Sequence, residues 1–184
     1  ANYESTIQPY GLSLVYNSSY NNRYFSNDGT NIHTKDFSKM KIAAGWKLSA
    51  QETVTEVSLT DVTSSGGTTN WLVYNDADGT EHYFKRSDQT TGEYKDEDGL
   101  NLTITKEGNI FTMKDEKGNQ KIFRNGFLTQ IIDGNGNSIH IVYNNNSISS
   151  NIPQNNGQDR ITAVYCHPNN EPSAKKIFTL TYNS

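Results

Sequence analysis

The chain has 184 residues and a formal net charge of −4, and only 33% of it is hydrophobic, yet 11 Tyr, 7 Phe and 2 Trp supply apolar surface that a disordered chain lacks. No Lys/Arg cluster is present to neutralise phosphates, which excludes a nucleic-acid partner, and no apolar run approaches the ~20 residues a membrane-spanning helix needs. Cys166 is the only cysteine, so an internal disulfide and any multi-cysteine metal or redox motif are excluded.

The start, Ala1-Asn2-Tyr3-Glu4, has neither the basic nor the apolar region of a signal peptide, and the sequence reads as one trimmed from something longer. Residues 17–31 read as a loop. Residues 36–44 are the best helix candidate, but the segment is short and runs into Gly45, so little or no helix is expected. A second loop is expected over residues 63–70, around Ser64-Ser65-Gly66-Gly67.

From there the chain repeats. Asp76-Ala77-Asp78-Gly79, Asp96-Glu97-Asp98-Gly99, Asp115-Glu116-Lys117-Gly118 and Asp133-Gly134-Asn135-Gly136 each place Asp three residues before Gly, at a spacing of roughly twenty residues that leaves room for two short strands and two turns. An Asp carboxylate can accept a hydrogen bond from the backbone N–H two residues on, and Gly takes up positive φ without a Cβ clash. Trp71-Leu72-Val73-Tyr74 with Glu81-His82-Tyr83-Phe84 therefore reads as a hairpin, as do residues 110–113 with 120–123 and 128–132 with 138–143. Residues 144–159, rich in Asn, Ser and Gln and containing Pro153, read as a loop or a weak boundary. The expected fold is all-β: antiparallel β-hairpin repeats forming a curved, extended sheet. Residues 1–70 are expected to be a lead-in β segment packing on repeats over 71–184, or the two to form one continuous domain, 1–184.

Gly126, Leu128, Ile131, Asp133, Gly136 and Tyr143 stand in the spacing G-x-L-x-x-I-x-D-x-x-G, six residues, Tyr-Asp, with Asn144 in place of the last Asp. In this the segment resembles a YD repeat of the RHS family. Gly108, Ile110, Met113, Asp115 and Gly118 look like a copy without the closing Tyr. Ile161, Val164 and the stretch from Ile177 to Tyr182-Asn183 look like another, with Cys166 at the Asp position and residues 168–173 replacing the Gly turn. Upstream, Tyr10-Gly11-Leu12-Ser13-Leu14-Val15-Tyr16-Asn17-Ser18 and Gly45-Trp46-Lys47-Leu48-Ser49 resemble the lead-in that precedes such repeats. The resemblance implies a secreted or surface-displayed bacterial protein whose hairpins spiral into a hollow shell around a toxic C-terminal region, or form a stalk. This chain has room for the first turn of such a shell. Its partners would be other repeats or domains of the same parent protein, with cell-wall or host glycans as a further option.

Candidate sites are few. The acidic turns fail the EF-hand test: counting back from Gly79 and Gly99 puts Tyr74 and Tyr94 at the first ligand position and Lys85 and Thr105 at the twelfth, where a bidentate Glu is needed. His33, His82, His140 and His167 fall in no ligand spacing, so no metal or other cofactor is expected. No G-x-S-x-G elbow is present, and the chain is expected not to be an enzyme. Trp46, Trp71, Tyr74 and Tyr83 suggest a sugar-stacking platform, but both faces of the Trp71–Tyr74 stretch are apolar, which favours core packing. Asn17-Ser18-Ser19, Asn101-Leu102-Thr103 and Asn145-Asn146-Ser147 match the glycosylation triplet and read as chance in an Asn-rich chain. The leading expectation is a non-catalytic structural scaffold segment, with a carbohydrate-binding module of the cell wall as the rival. The stretch from Ile177 to Tyr182 has high β-propensity without Pro or charge, and is expected to be an incompletely protected sheet edge.

Overall fold

A computed structural model describes residues 11–16, 46–60, 68–88, 90–143 and 160–182. All regular structure in these residues is antiparallel β. The helix candidate at 36–44 and the loops at 17–31 and 144–159 lie outside the described residues. Residues 68–70 of the expected second loop belong to a strand.

Two short strands, β1 (Leu14–Tyr16) and β2 (Trp46–Leu48), form a separate ribbon with Tyr16 opposite Trp46. The remaining strands are β3 (Thr53–Thr60), β4 (Thr68–Asn75), β5 (Glu81–Asp88), β6 (Glu93–Asp96), β7 (Thr103–Glu107), β8 (Ile110–Lys114), β9 (Gln120–Arg124), β10 (Phe127–Ile132), β11 (Ser138–Tyr143), β12 (Ile161–His167) and β13 (Lys175–Thr179). Each pairs with the next in sequence. β3, from the expected lead-in, pairs with β4 from Thr53↔Asn75 to Thr60↔Thr68, which carries the sheet across position 70.

The expected curved, extended sheet is corrected in one respect: β3 to β10 close into an eight-stranded ring. Closure is made at Phe127↔Thr53, where Val54 N–H donates to the Gly126 carbonyl at 3.0 Å and Leu128 N–H donates to the Glu52 carbonyl at 3.0 Å. Only the start of β10 meets β3. Farther along the same side β10 pairs with β11 (Gln130↔His140, Ile131↔Ile139, Ile132↔Ser138), so β11, β12 and β13 run on from the ring as an extension. The right-handed twist of successive hairpins, increased at the bulges in β5 and β10, coils the sheet far enough for its first strand to reach its eighth.

Strand alternation decides what fills the ring. Residues in one phase, Val54, Leu72, Phe84, Tyr94, Ile104, Met113, Phe123 and Leu128, are all buried, and the register places them beside one another through Leu72↔Phe84, Tyr94↔Ile104, Ile104↔Met113 and Leu128↔Phe123. Each such side chain contributes about 1.5–3 kcal/mol by leaving water. The same apolar phase continues into the extension through Ile131↔Ile139 and Ile141↔Val164.

Alternate connections of an up-and-down sheet emerge on one edge, which gathers all four Asp–Gly turns. Three share one hydrogen-bond pattern. Asp76, Asp115 and Asp133 each accept, on Oδ1, the N–H two residues on (3.0, 2.8 and 2.9 Å) and the N–H four residues on (2.8, 2.9 and 2.9 Å). Their glycines sit at φ +87°, +83° and +83° (Gly79, Gly118, Gly136). The Asp96 turn is longer: Asp96 receives N–H groups from Leu100 and Leu102, and Asn101 as well as Gly99 takes positive φ.

Candidate functional site

Two neighbouring sets of side chains gather buried polar groups, the first in the interior phase of the ring and the second where the β1–β2 ribbon meets the end of β4. Glu52, one step before Val54 on the same face, is buried. Its carboxylate accepts the Tyr74 hydroxyl at 2.5 Å and the Lys121 ammonium at 2.7 and 3.0 Å, and Lys121 also donates to the Tyr74 hydroxyl at 2.9 Å. Burial and the adjacent Glu52 charge push the Tyr74 phenol far above its ordinary pKa, so it stays protonated and donates. The three groups satisfy one another, and the set holds no activated nucleophile. Beside it lies a cavity of about 140 Å³ lined by Tyr74, Leu102, Met113, Ile131, Lys121 and residues of the Asp115 turn. That volume is well below the ~300 Å³ at which small-molecule sites begin.

The second set surrounds Lys47, which is 0% exposed. Its Nζ donates to Asn75 Oδ1 at 3.0 Å, to the Gln51 carbonyl at 3.4 Å and to the Asp76 carbonyl. Burial lowers its pKa to about 8, against the opposing pull of Glu52, Asp76 and Asp78. Next to it His82 bridges two turns, 2.9 Å from Asp76 Oδ2 and 3.4 Å from Asp98 Oδ2, with its ring stacked on Tyr74.

The aromatic residues singled out in the sequence are divided by the register. Tyr74 points into the ring, edge-on to Phe84 and Phe123. Trp71 and Tyr83 are diagonal neighbours on the opposite face, where Trp71 carries the Lys85 ammonium 5.7 Å from its ring centre. Trp46 stands apart on the β1–β2 ribbon, half exposed beside Tyr16 with ring centres 5.0 Å apart. Trp71, Tyr74 and Tyr83 therefore share no single surface.

The repeat residues are brought together. Gly126 (φ +79°) follows Asn125 (φ +50°) in a two-residue Asn-Gly turn between β9 and β10. Leu128 is buried, Ile131 packs on the core, and buried Tyr143 returns its hydroxyl to the Leu128 carbonyl at 2.8 Å. In the next hairpin Tyr182 donates to the Ile161 carbonyl at 2.7 Å, and Ile161 and Tyr182 are the positions matching Leu128 and Tyr143. Successive turns are also tied: Asn119 Oδ1 accepts Gly134 N–H at 3.1 Å, and Asn137 Oδ1 accepts Asn169 N–H at 3.1 Å. Asn119 and Asn137 each hold their own turn as well, donating to Asp115 and Asp133 at 2.7 and 2.8 Å.

Glu52, Lys121 and Lys47 escaped the reading of the sequence. The available signal was phase, since Lys121 precedes Phe123 by two and Glu52 precedes Val54 by two, placing charge where the alternation calls for apolar residues. Among the described residues no three His, Cys, Asp or Glu gather as a metal would require. No helix there is long and apolar enough to cross a membrane. No protein-family model matches the chain, and no curated protein and no solved structure matches it either.

Proposed function

We propose that the chain is a non-catalytic scaffold segment of a secreted or cell-surface bacterial protein of the RHS/YD-repeat type, contributing to a β-shell or stalk that encloses or presents a toxic or adhesive region. The observation that supports this is the recurrence of one fastening in two successive hairpins: Tyr143 to the Leu128 carbonyl and Tyr182 to the Ile161 carbonyl, at matching repeat positions. A unit that fastens itself in this way and latches to the next turn through an Asn amide can be added repeatedly. In this reading the ring is the closed start of the scaffold and β11 to β13 are its first outward step, with further hairpins of the parent protein as the partner of β13. Among the described residues β13 pairs with β12 alone and is exposed along its length, with Ile177 at 43% and Phe178 at 37%.

The test is a chain lengthened by two further hairpin repeats. It should melt at a higher temperature than the 184-residue chain, which in turn should associate weakly at high concentration in sedimentation. A strictly monomeric chain that gains nothing from lengthening would overturn the scaffold reading.

The rival, a carbohydrate-binding module, rests on the outer-face pair Trp71 and Tyr83. Specific binding on a glycan array that is lost in Trp71→Ala, with the fold retained, would favour it.

A further inference from the structure

Lys47 and Asn75 come from different strands, β2 and β4, and both are buried, at 0% and 5% exposure. A buried ammonium is costly, and Lys47 donates to the Asn75 side chain at 3.0 Å and to the carbonyls of Gln51 and Asp76, with the charges of Glu52, Asp76 and Asp78 nearby. Asn75 is itself oriented, because its Nδ2 donates to the Gly79 carbonyl at 3.3 Å and leaves Oδ1 facing the amine. A pKa of about 8 makes the free amine accessible near neutrality, and the free amine is the nucleophilic form. An amine and an amide carbonyl held together out of water react as an intramolecular pair, with the entropy of encounter already spent in folding.

We infer that the folded chain joins Lys47 to Asn75 through an isopeptide bond, formed by the two buried side chains without an added reagent. Nζ attacks Cγ of Asn75, the Nζ–Cγ bond forms, and the Cγ–Nδ2 bond breaks. The two protons lost by the lysine nitrogen leave with the Asn75 nitrogen, so that one lysine ammonium and one carboxamide give one secondary amide and one ammonium ion. Nothing is oxidised or reduced. The resulting loop runs from residue 47 to residue 75 and contains β3, the strand whose pairing with β10 closes the ring. The bond therefore fastens the β1–β2 ribbon to the first Asp turn and encloses the strand on which closure depends.

Intact-mass measurement of the purified chain, followed by digestion, decides the matter. The chain should be lighter than its sequence by one ammonia. Trypsin together with a glutamate-specific protease cuts between the two residues, at Glu52 and Glu56, and should release a branched peptide joining the Lys47 and Asn75 segments. Lys47→Arg should restore the full mass and yield only linear peptides. An unmodified chain giving linear peptides with intact Lys47 and Asn75 would overturn the inference. So would an ammonia loss that persists in Lys47→Arg, since that loss then belongs to succinimide formation at an Asn-Gly pair such as Asn135-Gly136.

Discussion

The ring and the three strands beyond it are built from one hairpin unit, but they end differently. In β3 to β10 every strand has two neighbours and one face of the sheet is filled by Leu72, Phe84, Ile104, Phe123 and Leu128. In β11 to β13 the burial declines strand by strand, from a β11 buried at all positions to a β13 exposed at all of them. The stability of a hairpin here depends less on its own sequence than on how many of its sides are covered. β13 is as β-prone as β9, yet it has given up little of its surface to the core.

The sharpest break in that comparison is a matched pair of truncations. Phe123 is fully buried and meets Tyr74 edge-on, with ring centres 5.9 Å apart, so Phe123→Ala should cost about 3–5 kcal/mol in denaturant unfolding. Phe178 sits at a corresponding place on β13 but is 37% exposed, and Phe178→Ala should cost under about 1 kcal/mol. Equal losses would mean that the extension is as tightly packed as the ring.

The seam between the two regions is the next target. Gly136 has φ +83°, and a Cβ there would come 3.0 Å from the side chain of Asn169, which the turn of β10–β11 holds through Asn137 and Asn135. Gly136→Val should therefore cost about 1–3 kcal/mol, combining backbone strain with loss of the latch to the following turn. Gly118 has the same φ with open space around it, so Gly118→Val should cost less. A melt of Gly136→Val that matches the native one would refute the turn assignment.

How much of this was legible follows from the range of each interaction. The Asp–Gly turns could be read because Asp133, Asn135, Gly136 and Asn137 interact within five residues of one another. The pairing of Leu128 with Tyr143 was legible only through the repeat pattern, and the hydroxyl that joins them was not. Ring closure was invisible, because it rests on Phe127 meeting Thr53, two residues remote in sequence with nothing local to announce the pairing. The same holds for Lys121 and Glu52, whose charges are tolerated in the interior phase only because closure brings them face to face. The trio Trp71, Tyr74 and Tyr83 was grouped by residue type, whereas the pleat sends Tyr74 to the other face.

A change of pH should separate the two regions without mutation. His140, on β11, is buried against Ser138 Oγ at 2.9 Å and faces His167, and burial lowers its pKa from 6.5 to about 4. The unfolded chain takes up this proton below pH 6.5 and the folded chain only near pH 4, so the stabilisation present above 6.5 is lost as pH falls across that interval. The Asp turns, two in the ring and one at its seam with the extension, behave differently. Hydrogen bonds to Asp76, Asp115 and Asp133 outweigh desolvation and hold their carboxyls below the ordinary Asp value of 3.8, and their contribution is lost only as pH falls through and below it. Unfolding midpoints should thus decline between pH 6.5 and 4 in the native chain and decline less in His140→Phe. The same slope in both would remove His140 as the cause.

The smallest effect concerns the fastening shared by the two hairpins. Tyr143 and Tyr182 each donate one hydroxyl to a main-chain carbonyl, Leu128 at 2.8 Å and Ile161 at 2.7 Å, so Phe in either place keeps the ring packing and removes one hydrogen bond. Deleting such a bond costs about 0.5–1.5 kcal/mol, more where the carbonyl left behind has no access to water. Tyr143 is fully buried, edge-on to Phe127 at 5.8 Å, whereas Tyr182 is partly buried, with Arg160 4.9 Å from its ring centre. Tyr143→Phe should fall at the upper end of that range and Tyr182→Phe at the lower. If the fastenings act in separate hairpins, the double variant should lose the sum of the two to within about 0.5 kcal/mol. A clear departure from additivity would show that the two fastenings are energetically coupled, and that the hairpins do not hold themselves independently.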